Sequence, residues 1–349
     1  MTKTAPQPEA ATPRSCGAVF ADPAWRDAWR HATVEPALAD RVLTGLDNHD
    51  DEVTGVPLYR LTGSALWRGY EDDAGMVDVL PGNVAFLSSV YAISNPLNRL
   101  TEPDAVRVLD EAFEQATDWG CPLLLATNLE PGPVLDHLRS VRQSPAEIRL
   151  DATCRAVLPG SEDEFMATLG RSARSDIRRR HRRAIEQGVT FHRRWGRDAH
   201  GKLAEFLALS EQSATEHGNP PLYDLETLQA IVEVPGAVLL TAEHDDKILA
   251  GSIAFLHDDC LLVWAAGVDY SALRVYHPYV FLLRETIALA MHLGCRELDL
   301  GRGTFEFKTR HGFTPTVLTT LAYPLGDTAA DTLTPLHEMD RRITAFLAL

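Results

Sequence analysis

Long hydrophobic segments are missing from this sequence. It contains no run of about 18 apolar residues, the minimum for a membrane-spanning helix, so we expect no segment to cross a membrane. The N-terminal stretch MTKTAPQPEAATPRS also lacks the apolar core of a signal peptide. These absences predict a cytoplasmic protein without a membrane partner. Residues 1–17 are rich in Pro, Ala and Thr, which predicts a disordered N-terminus.

Cysteine is scarce and shows no paired spacing. The five cysteines are Cys16, Cys121, Cys154, Cys260 and Cys295, and none forms a C-x-x-C pair. An odd number of scattered cysteines is typical of reduced thiols and argues against a disulfide framework or a zinc knuckle. The 13 histidines show no metal-ligand spacing either. We therefore expect no metal and no other cofactor.

Several common catalytic motifs are absent as well. The sequence has no P-loop, no Rossmann glycine pattern, no G-x-S-x-G elbow and no H-E-x-x-H motif. This argues against P-loop nucleotide hydrolysis, dinucleotide-dependent redox chemistry, serine hydrolysis of the α/β-hydrolase type and zinc proteolysis. The length of 349 residues predicts two domains, each long enough to bury its own core.

Charge is unevenly distributed along the chain. The formal net charge is −16, which repels nucleic acid on average, and we expect no DNA partner. Residues 171–197 oppose this trend, because ten arginines face two acidic residues there and give a local charge of +8. Four arginines form a stripe at helical spacing, and guanidinium groups match phosphate oxygens. The stripe consists of Arg171, Arg174, Arg178 and Arg182. It predicts a tRNA or phosphate site, or alternatively a solvated face paired with acidic neighbours.

The order of predicted elements indicates the fold class. Residues 189–325 read β–α–α–β–β–β–α–β, followed by a short turn and a further strand. Three strands joined by hairpins, then a helix and a return strand, imply a mixed sheet in an α+β domain. The first half repeats the end of this pattern. We therefore predict an N-terminal domain over 18–160 and a catalytic domain over 161–349.

Three stretches carry a family resemblance. They are an Arg-rich helix followed by Gly and a strand (171–191), a helix that ends in Gly and leads to a strand (277–301), and the loop GRGTFEFKTRHGFTP (301–315). Together they resemble the N-acetyltransferase (GNAT) superfamily, and the tandem arrangement is similar to the Fem-like peptidyltransferases. The resemblance covers roughly residues 20–325. It implies tandem GNAT-like domains with a mixed central sheet flanked by helices.

The resemblance also implies a reaction. Fem-like enzymes take an aminoacyl group from aminoacyl-tRNA and pass it to an amine, and a Phe-Lys lysine stabilises the oxyanion. The matching position is Lys308, after Phe307. Two features depart from the related patterns. We see no coiled-coil arm, and the stretch 269–280 lacks the glycines that let a backbone approach the pyrophosphate of an acyl-CoA.

Further residues around Lys308 are candidates for the site. His311, Glu306 and Asp299 are candidate acids or bases, since each could accept a proton from an attacking amine. The bland alternatives are ion pairs of the two acids with Arg302 or Arg310, a plain loop histidine, and a surface lysine at 308. The residues expected to contact substrate are Arg302, Gly303, Phe307, Arg310 and Tyr279.

The sequence thus predicts an acyltransferase that moves an activated acyl group to an amine or hydroxyl of a small molecule or peptide. Aminoacyl-tRNA is the favoured donor. An acyl-CoA or carrier-protein thioester is the alternative, in which the Arg stripe would hold the phosphates of the donor. A third hypothesis is a non-catalytic module that binds nucleic acid or another anionic ligand.

Overall fold

The computed structural model of the protein describes residues 16–44, 55–141, 145–216, 218–326 and 329–347. Its helices are α1 (Pro23–Arg30), α2 (Ala65–Asp73), α3 (Glu102–Asp118), α4 (Pro133–Val141), α5 (Glu162–Thr168), α6 (Arg171–Glu186), α7 (His200–Glu216), α8 (Leu225–Val232), α9 (Leu273–Tyr276), α10 (Pro278–His292), α11 (Phe305–Arg310) and α12 (Ala329–Leu347). Its strands are β1 (Ala37–Leu43), β2 (Val56–Leu61), β3 (Val84–Leu87), β4 (Leu123–Leu129), β5 (Ala146–Val157), β6 (Thr190–Trp195), β7 (Ala237–His244), β8 (Lys247–His257), β9 (Cys260–Val268), β10 (Glu297–Asp299) and β11 (Thr314–Pro324). Short 3-10 helices lie at Cys16–Ala21, Pro96–Arg99 and Gly196–Ala199.

The strands form one mixed sheet in the order β1-β2-β3-β4-β11-β5-β10-β9-β8-β7-β6. Neighbours are antiparallel except β3 with β4 and β9 with β10, which are parallel. A parallel pair needs a long crossover, and α3 and α10 supply it. Each half of the sheet therefore repeats one strand–helix–strand unit. This confirms the predicted tandem α+β architecture with a mixed central sheet flanked by helices.

The two halves exchange their central strands. β5 comes from the first half of the chain but pairs antiparallel with β10 of the second half. β11 comes from the second half but pairs antiparallel with β4 of the first half. The two exchanged strands also pair with each other along most of their length, which joins the halves into one sheet. The predicted domain boundary at residue 160 stays a prediction. Strand β5 precedes this residue but pairs with β10 of the second half, and β11 follows it but pairs with β4 of the first half.

Hydrophobic side chains alternate between the two faces of the sheet, as strand geometry requires. One face carries a core shared by both halves, to which Trp67 and Phe86 contribute from the first half and Phe206 and Phe255 from the second. The opposite face has two separate cores, one beneath α3 and α4 and one beneath α5, α6 and α10. The shared core gives the halves a common apolar interface, and the separate core of the second half supports the elements of the candidate site.

The N-terminal segment packs on the second half of the chain. Trp25 stacks on Trp29 in α1, and both rings meet Trp264 of β9 edge-on. A disulfide joins Cys16 to Cys260, with 5.5 Å between the Cα atoms, so the expectation of reduced thiols is wrong for these two residues. Cys121, Cys154 and Cys295 are free and buried. Spacing could not reveal the pair, because 244 residues separate its members.

The prediction of a disordered segment over residues 1–17 is wrong for its last two residues. Cys16 and Gly17 are buried in the first 3-10 helix, while residues 1–15 lie outside the described residues. Among the described residues, no helix is both long and apolar enough to cross a membrane. The predicted cytoplasmic localisation stays a prediction.

α10 is apolar nearly all round, because it is covered on several sides. It packs against β7, β8 and β9 on one side and against α5 and α6 on another. Pro278 opens it at the first helical position, and Gly294 follows its end with a φ of +78°. The predicted helix over 277–293 is therefore confirmed to within a residue at each end.

Candidate active site

The loop between β10 and α11 lies where the two halves meet. Gly301 in this loop has a φ of +65°, and a Cβ atom there would lie 2.5 Å from the carbonyl oxygen of Val263. Only glycine fits such a close approach in the left-handed region. The backbone of Gly301 is fixed on two sides, since its carbonyl accepts the N–H of Cys154 and its N–H donates to Asp299. The loop is thereby held against β5 and β9.

Lys308 is buried and hydrogen-bonded to this loop. It lies in α11, which corrects the expectation of a loop position, and its 3% exposure contradicts a surface lysine. Its Nζ donates to three backbone carbonyls, those of Leu300 at 2.8 Å, Gly301 at 3.0 Å and Arg302 at 2.5 Å. An ammonium group has three N–H bonds, so all of them are used. Lys308 therefore stabilises the loop through three hydrogen bonds.

Burial lowers the pKa of Lys308 from 10.5 to about 8, although Cys154, Asp299 and Asp151 lie close enough to favour the charged form. The charge on Lys308 is therefore sensitive to pH near neutrality. Asp151 is one of the residues that the sequence analysis missed. Its carboxylate accepts the hydroxyl of Tyr70 at 2.8 Å, and burial raises its pKa despite the charge of Arg302. No local motif marks Asp151, because its partners come from distant parts of the chain.

Arg302 fastens the loop to the first half of the chain. Its Nη1 donates to the carbonyl of Val90 and its Nη2 to the carbonyl of Ala92, each at 2.8 Å. Nη2 also donates to Oδ1 of Asn128 at 2.8 Å, and Nη1 lies 3.4 Å from the hydroxyl of Tyr70. With both terminal nitrogens engaged inside the protein, this side chain holds the two halves together. Its predicted substrate contact stays a prediction.

The acidic candidates differ in their surroundings. Asp299 is fully buried and accepts a hydrogen bond from Nε of Arg155 at 2.6 Å and one from the hydroxyl of Thr153. Its ion-pair partner is therefore Arg155 and not Arg302 or Arg310, and its oxygens are occupied. Glu306 is exposed in the first turn of α11. Of the two, only Glu306 is accessible to a substrate from solvent.

Aromatic rings form a row beside Lys308. Phe307 lies between Tyr279 and His311, with ring centroids 4.7 Å and 4.1 Å away. The hydroxyl of Tyr279 is 3.2 Å from that of Thr304, a β-branched residue with a φ of +49° at the start of α11. Such a φ is rare for threonine, so neighbouring contacts must hold the turn.

His311 is buried and has one free ring nitrogen. Its Nδ1 donates to the carbonyl of Phe307 at 2.6 Å, whereas its Nε2 is buried without a hydrogen-bond partner in the described part of the chain. Burial lowers its pKa, and the charge of Arg310 acts in the same direction. The imidazole is therefore neutral at neutral pH, with Nε2 as the basic nitrogen.

Two adjoining grooves run along α6. The first measures about 630 Å³ and the second about 380 Å³, and both are lined by Arg179 and Arg180. The first is completed by Arg171, Ser172, Ser175, Asp176 and Arg310. The second is completed by Arg183, Leu273, Arg274 and His277. His277 precedes the first turn of α10 with a φ of +48°, so the grooves meet a helix N-terminus. Cationic side chains and a helix N-terminus together favour anions.

The predicted arginine stripe overlaps only partly with these grooves. Arg171 lines the first groove, but Arg178 lies near Asp163 at 3.7 Å and Arg182 near Glu186 at 3.6 Å. Neither they nor the half-buried Arg174 line either of these two grooves. For Arg178 and Arg182 the alternative of pairing with acidic neighbours fits better. Of the remaining substrate candidates, Arg310 lines the first groove, and Gly303 has a φ of +71° with open space where a Cβ atom would lie.

No group of three or more His, Cys, Asp or Glu side chains suited to a metal ion is present in the described ranges.

Comparison with known proteins places this site in a family context. Residues 171–309 match the family model of the acetyltransferase (GNAT) domain, so the match includes α10, Lys308 and every groove residue except Arg310. No curated protein has a matching sequence. The fold is similar to that of FemX, with a TM-score of 0.58 and 13% identity over 92% of this chain and 97% of that one. It is also similar to L-PGS from Bacillus licheniformis, with a TM-score of 0.56 and 12% identity over 91% and 97%.

Residues 171–309 are thus similar to an acetyltransferase (GNAT) domain, and the fold of the whole chain is similar to those of FemX and L-PGS. The structural neighbours support the fold of the whole chain. The family model supports acyl transfer as the reaction class, through its match to residues 171–309.

Proposed function

We propose that the protein transfers an aminoacyl group from aminoacyl-tRNA to an amine or hydroxyl of a small molecule or peptide. The observation that carries this proposal is the pair of adjoining arginine grooves, which lead from the N-terminus of α10 to Arg310 in α11. Both Arg310 of the first groove and Lys308 belong to α11, and we place the acyl end of the donor at this helix. The reaction needs no cofactor.

The grooves suit a donor with several phosphates. Six arginines line them together, and they form a continuous track because Arg179 and Arg180 belong to both. A nucleic acid strand presents phosphates in series along such a track. Residues 269–277, directly before α10, also contain no glycine, and His277 has a left-handed backbone conformation there. This loop therefore departs from the pyrophosphate loop of ordinary acyl-CoA enzymes.

In the proposed reaction, the acceptor nitrogen or oxygen attacks the carbonyl carbon of the aminoacyl ester. A bond to the acceptor forms, the ester bond to the tRNA ribose breaks, and the proton of the acceptor passes to the released ribose oxygen. We assign to Lys308 the positive charge that stabilises the oxyanion. Since its three N–H bonds are used by the loop, direct contact requires that one carbonyl be exchanged for the substrate oxygen.

The proton can move in two ways. It can pass directly from the acceptor to the leaving oxygen within the bound substrates. Alternatively, Nε2 of His311 accepts it, because this buried nitrogen has no hydrogen-bond partner among the described residues and the lowered pKa keeps the ring unprotonated. His311→Gln separates these routes, since it slows turnover only if the imidazole takes part. Glu306→Gln tests the exposed carboxylate in the same way.

A transfer assay tests the proposed donor. Purified protein is incubated with a pool of labelled aminoacyl-tRNAs and a set of small amines, alcohols and dipeptides, with and without RNase. RNase-sensitive label in an acceptor is the expected result. Arg180→Ala should abolish it, whereas Arg178→Ala, in the same helix but outside the grooves, should retain it. Transfer that persists after RNase treatment would contradict the tRNA donor.

A thioester donor is the second candidate, and the match to an acetyltransferase family model favours it. In that case the arginines of the second groove would hold the phosphates of a pantetheine-bearing donor. Free CoA should then inhibit transfer, and RNase should have no effect. If no product forms from either pool while RNA still binds with steep salt dependence, the non-catalytic binding module gains support.

A further inference from the structure

One carboxylate lies among the arginines of the grooves. Asp176 lines the first groove, and only 8% of it is exposed. In the sequence, Asp176 is one of two acidic residues that oppose the arginine run over 171–197. Its place in α6 gives it a more specific relation to the arginines, because Arg179 and Arg180 follow it at i+3 and i+4 on the same helix face.

The contacts of Asp176 reach three arginines on two elements. Oδ1 accepts a hydrogen bond from Nη2 of Arg179. Oδ2 lies 2.9 Å from Nε of Arg180 and 3.8 Å from Nη2 of Arg310. His277 and His311 are also within electrostatic reach of the carboxylate. Asp176 is therefore a common neighbour of guanidinium groups from α6 and α11.

The carboxylate stays ionised in this setting. Burial acts to raise the pKa of Asp176, but the hydrogen bond from Arg180 and the charges of Arg180, Arg179 and Arg310 outweigh it, so the pKa lies below its usual value. The ion pairs hold Arg179 and Arg180, the two arginines shared by both grooves, to one carboxylate. Without a central anion, their guanidinium groups would repel each other and would be free to turn into solvent.

We propose that Asp176 is a positioning residue that arranges Arg179, Arg180 and Arg310 for the phosphates of the donor. This inference rests on the proposed function of the grooves as the donor site. It leads to an unusual expectation, because an acidic residue in an anion-binding groove would then strengthen the binding of anions. Simple electrostatics predicts the opposite sign, since the loss of a negative charge should strengthen the attraction for phosphate.

The two explanations are separated by Asp176→Asn and a matched control. Glu186→Gln removes one negative charge from the same helix, but Glu186 is exposed and lies outside both grooves. The probe is a fluorescent RNA hairpin with a single-stranded 3′-CCA end, and binding is followed by anisotropy at several salt concentrations. We expect Asp176→Asn to weaken binding at least tenfold. We expect Glu186→Gln to leave it unchanged or slightly tighter.

Salt dependence adds a measurement that loss of fold stability would not imitate. Each phosphate contact contributes about 0.7 to 0.9 to the slope of log K against log salt. If two arginines leave the groove in Asp176→Asn, the slope should become shallower by about 1.5. If the variant only gains net positive charge, the slope should stay the same or become steeper. Thermal melting of each variant checks that the compared proteins are folded.

Asp176→Glu serves as a second variant if Asp176→Asn does not fold. It keeps the charge but moves the carboxylate by one methylene, so positioning predicts several-fold weaker binding and a pure charge effect predicts no change. Binding by Asp176→Asn as tight as that of Glu186→Gln overturns this inference and leaves the donor proposal intact. If the wild-type protein does not bind the hairpin, the tRNA donor proposal fails and this inference fails with it.

Discussion

Lys308→Met is the most informative single substitution in this protein. Methionine keeps an unbranched stem of similar length but removes the charge and the three donors. The variant leaves the carbonyls of Leu300 and Arg302 without the ammonium, while the carbonyl of Gly301 retains the N–H of Cys154. Two buried carbonyl groups without a hydrogen-bond donor lower the free energy of unfolding by about 2 to 6 kcal/mol together.

A second effect offsets this cost. Burial lowers the pKa of Lys308 from 10.5 to about 8, which corresponds to a penalty of about 3 kcal/mol for the buried charge at neutral pH. Methionine removes that penalty. The free energy of unfolding should therefore fall by no more than about 3 kcal/mol, and the variant should fold. If the charge stabilises the oxyanion, kcat should fall by about 100-fold to 1,000-fold.

The pH dependence provides an independent check with a defined sign. The unfolded chain binds more protons at this lysine than the folded chain between pH 8 and 10.5, so stability should rise with pH in this window. The rise should amount to about 3 kcal/mol in the wild type and be absent from Lys308→Met. The kcat of the wild type should fall as pH rises through about 8, because Nζ then loses its proton.

Denaturant unfolding from pH 7 to 10.5 and a kcat profile over the same range, both on matched preparations, measure these quantities. A Met variant with wild-type kcat would remove Lys308 from the reaction. If the variant loses more than about 5 kcal/mol of stability, the main contribution of Lys308 is to stabilise the fold through its hydrogen bonds to the loop, and not to supply a charge for the reaction.

Three further substitutions test the architecture. Cys16→Ser should lower the melting temperature by several degrees, because the Cys16–Cys260 disulfide closes a loop of 244 residues and should stabilise the fold by up to about 5 kcal/mol through the entropy of the unfolded chain. A reductant should lower the melting temperature of the wild type but not that of the variant. Gly301→Ala should lower the free energy of unfolding by more than the roughly 1–2 kcal/mol expected for an alanine in the left-handed region. Gly303→Ala should lower it by that amount only, because a Cβ atom there would meet nothing within 4 Å. Denaturant titrations of the two variants measure the difference. Arg302→Lys should lower stability almost as much as Arg302→Ala, since an ammonium cannot reproduce the fork that spans two carbonyls and Asn128, and thermal melts of both variants decide this.

Local patterns in the sequence predicted much of the fold. The helix over 277–293 and the hairpin strands before it were predictable, because periodicity, turn residues and a closing glycine act within a few positions of each other. The arginine-rich helix was also recognisable, yet most of the stripe proposed as the binding face lies outside the grooves. Apolar residues such as Ile177 and Ala184 decide how α6 docks on the core, and the grooves open beside this face at Arg179 and Arg180.

Long-range contacts explain what the sequence could not reveal. The partner of Asp299 is Arg155, 144 residues away, and the carbonyls that bind Arg302 are more than 200 residues away. Such pairs leave no local spacing to detect. The same holds for Asp151, whose role near Lys308 depends on the pairing of β5 with β11 and β10.

The exchange of strands explains why the candidate site lies between the halves. β10 belongs to the second half of the sheet, but β11 must reach the gap between β4 and β5, so residues 300–313 have to cross the junction. Whatever holds these residues also fixes the relation between the halves. Lys308 holds the loop from within, and Arg302 fastens it to the loop after β3. A change in the pairing of either residue therefore acts on the candidate site and on the junction together. For this reason kcat and the free energy of unfolding have to be measured separately for variants of both residues.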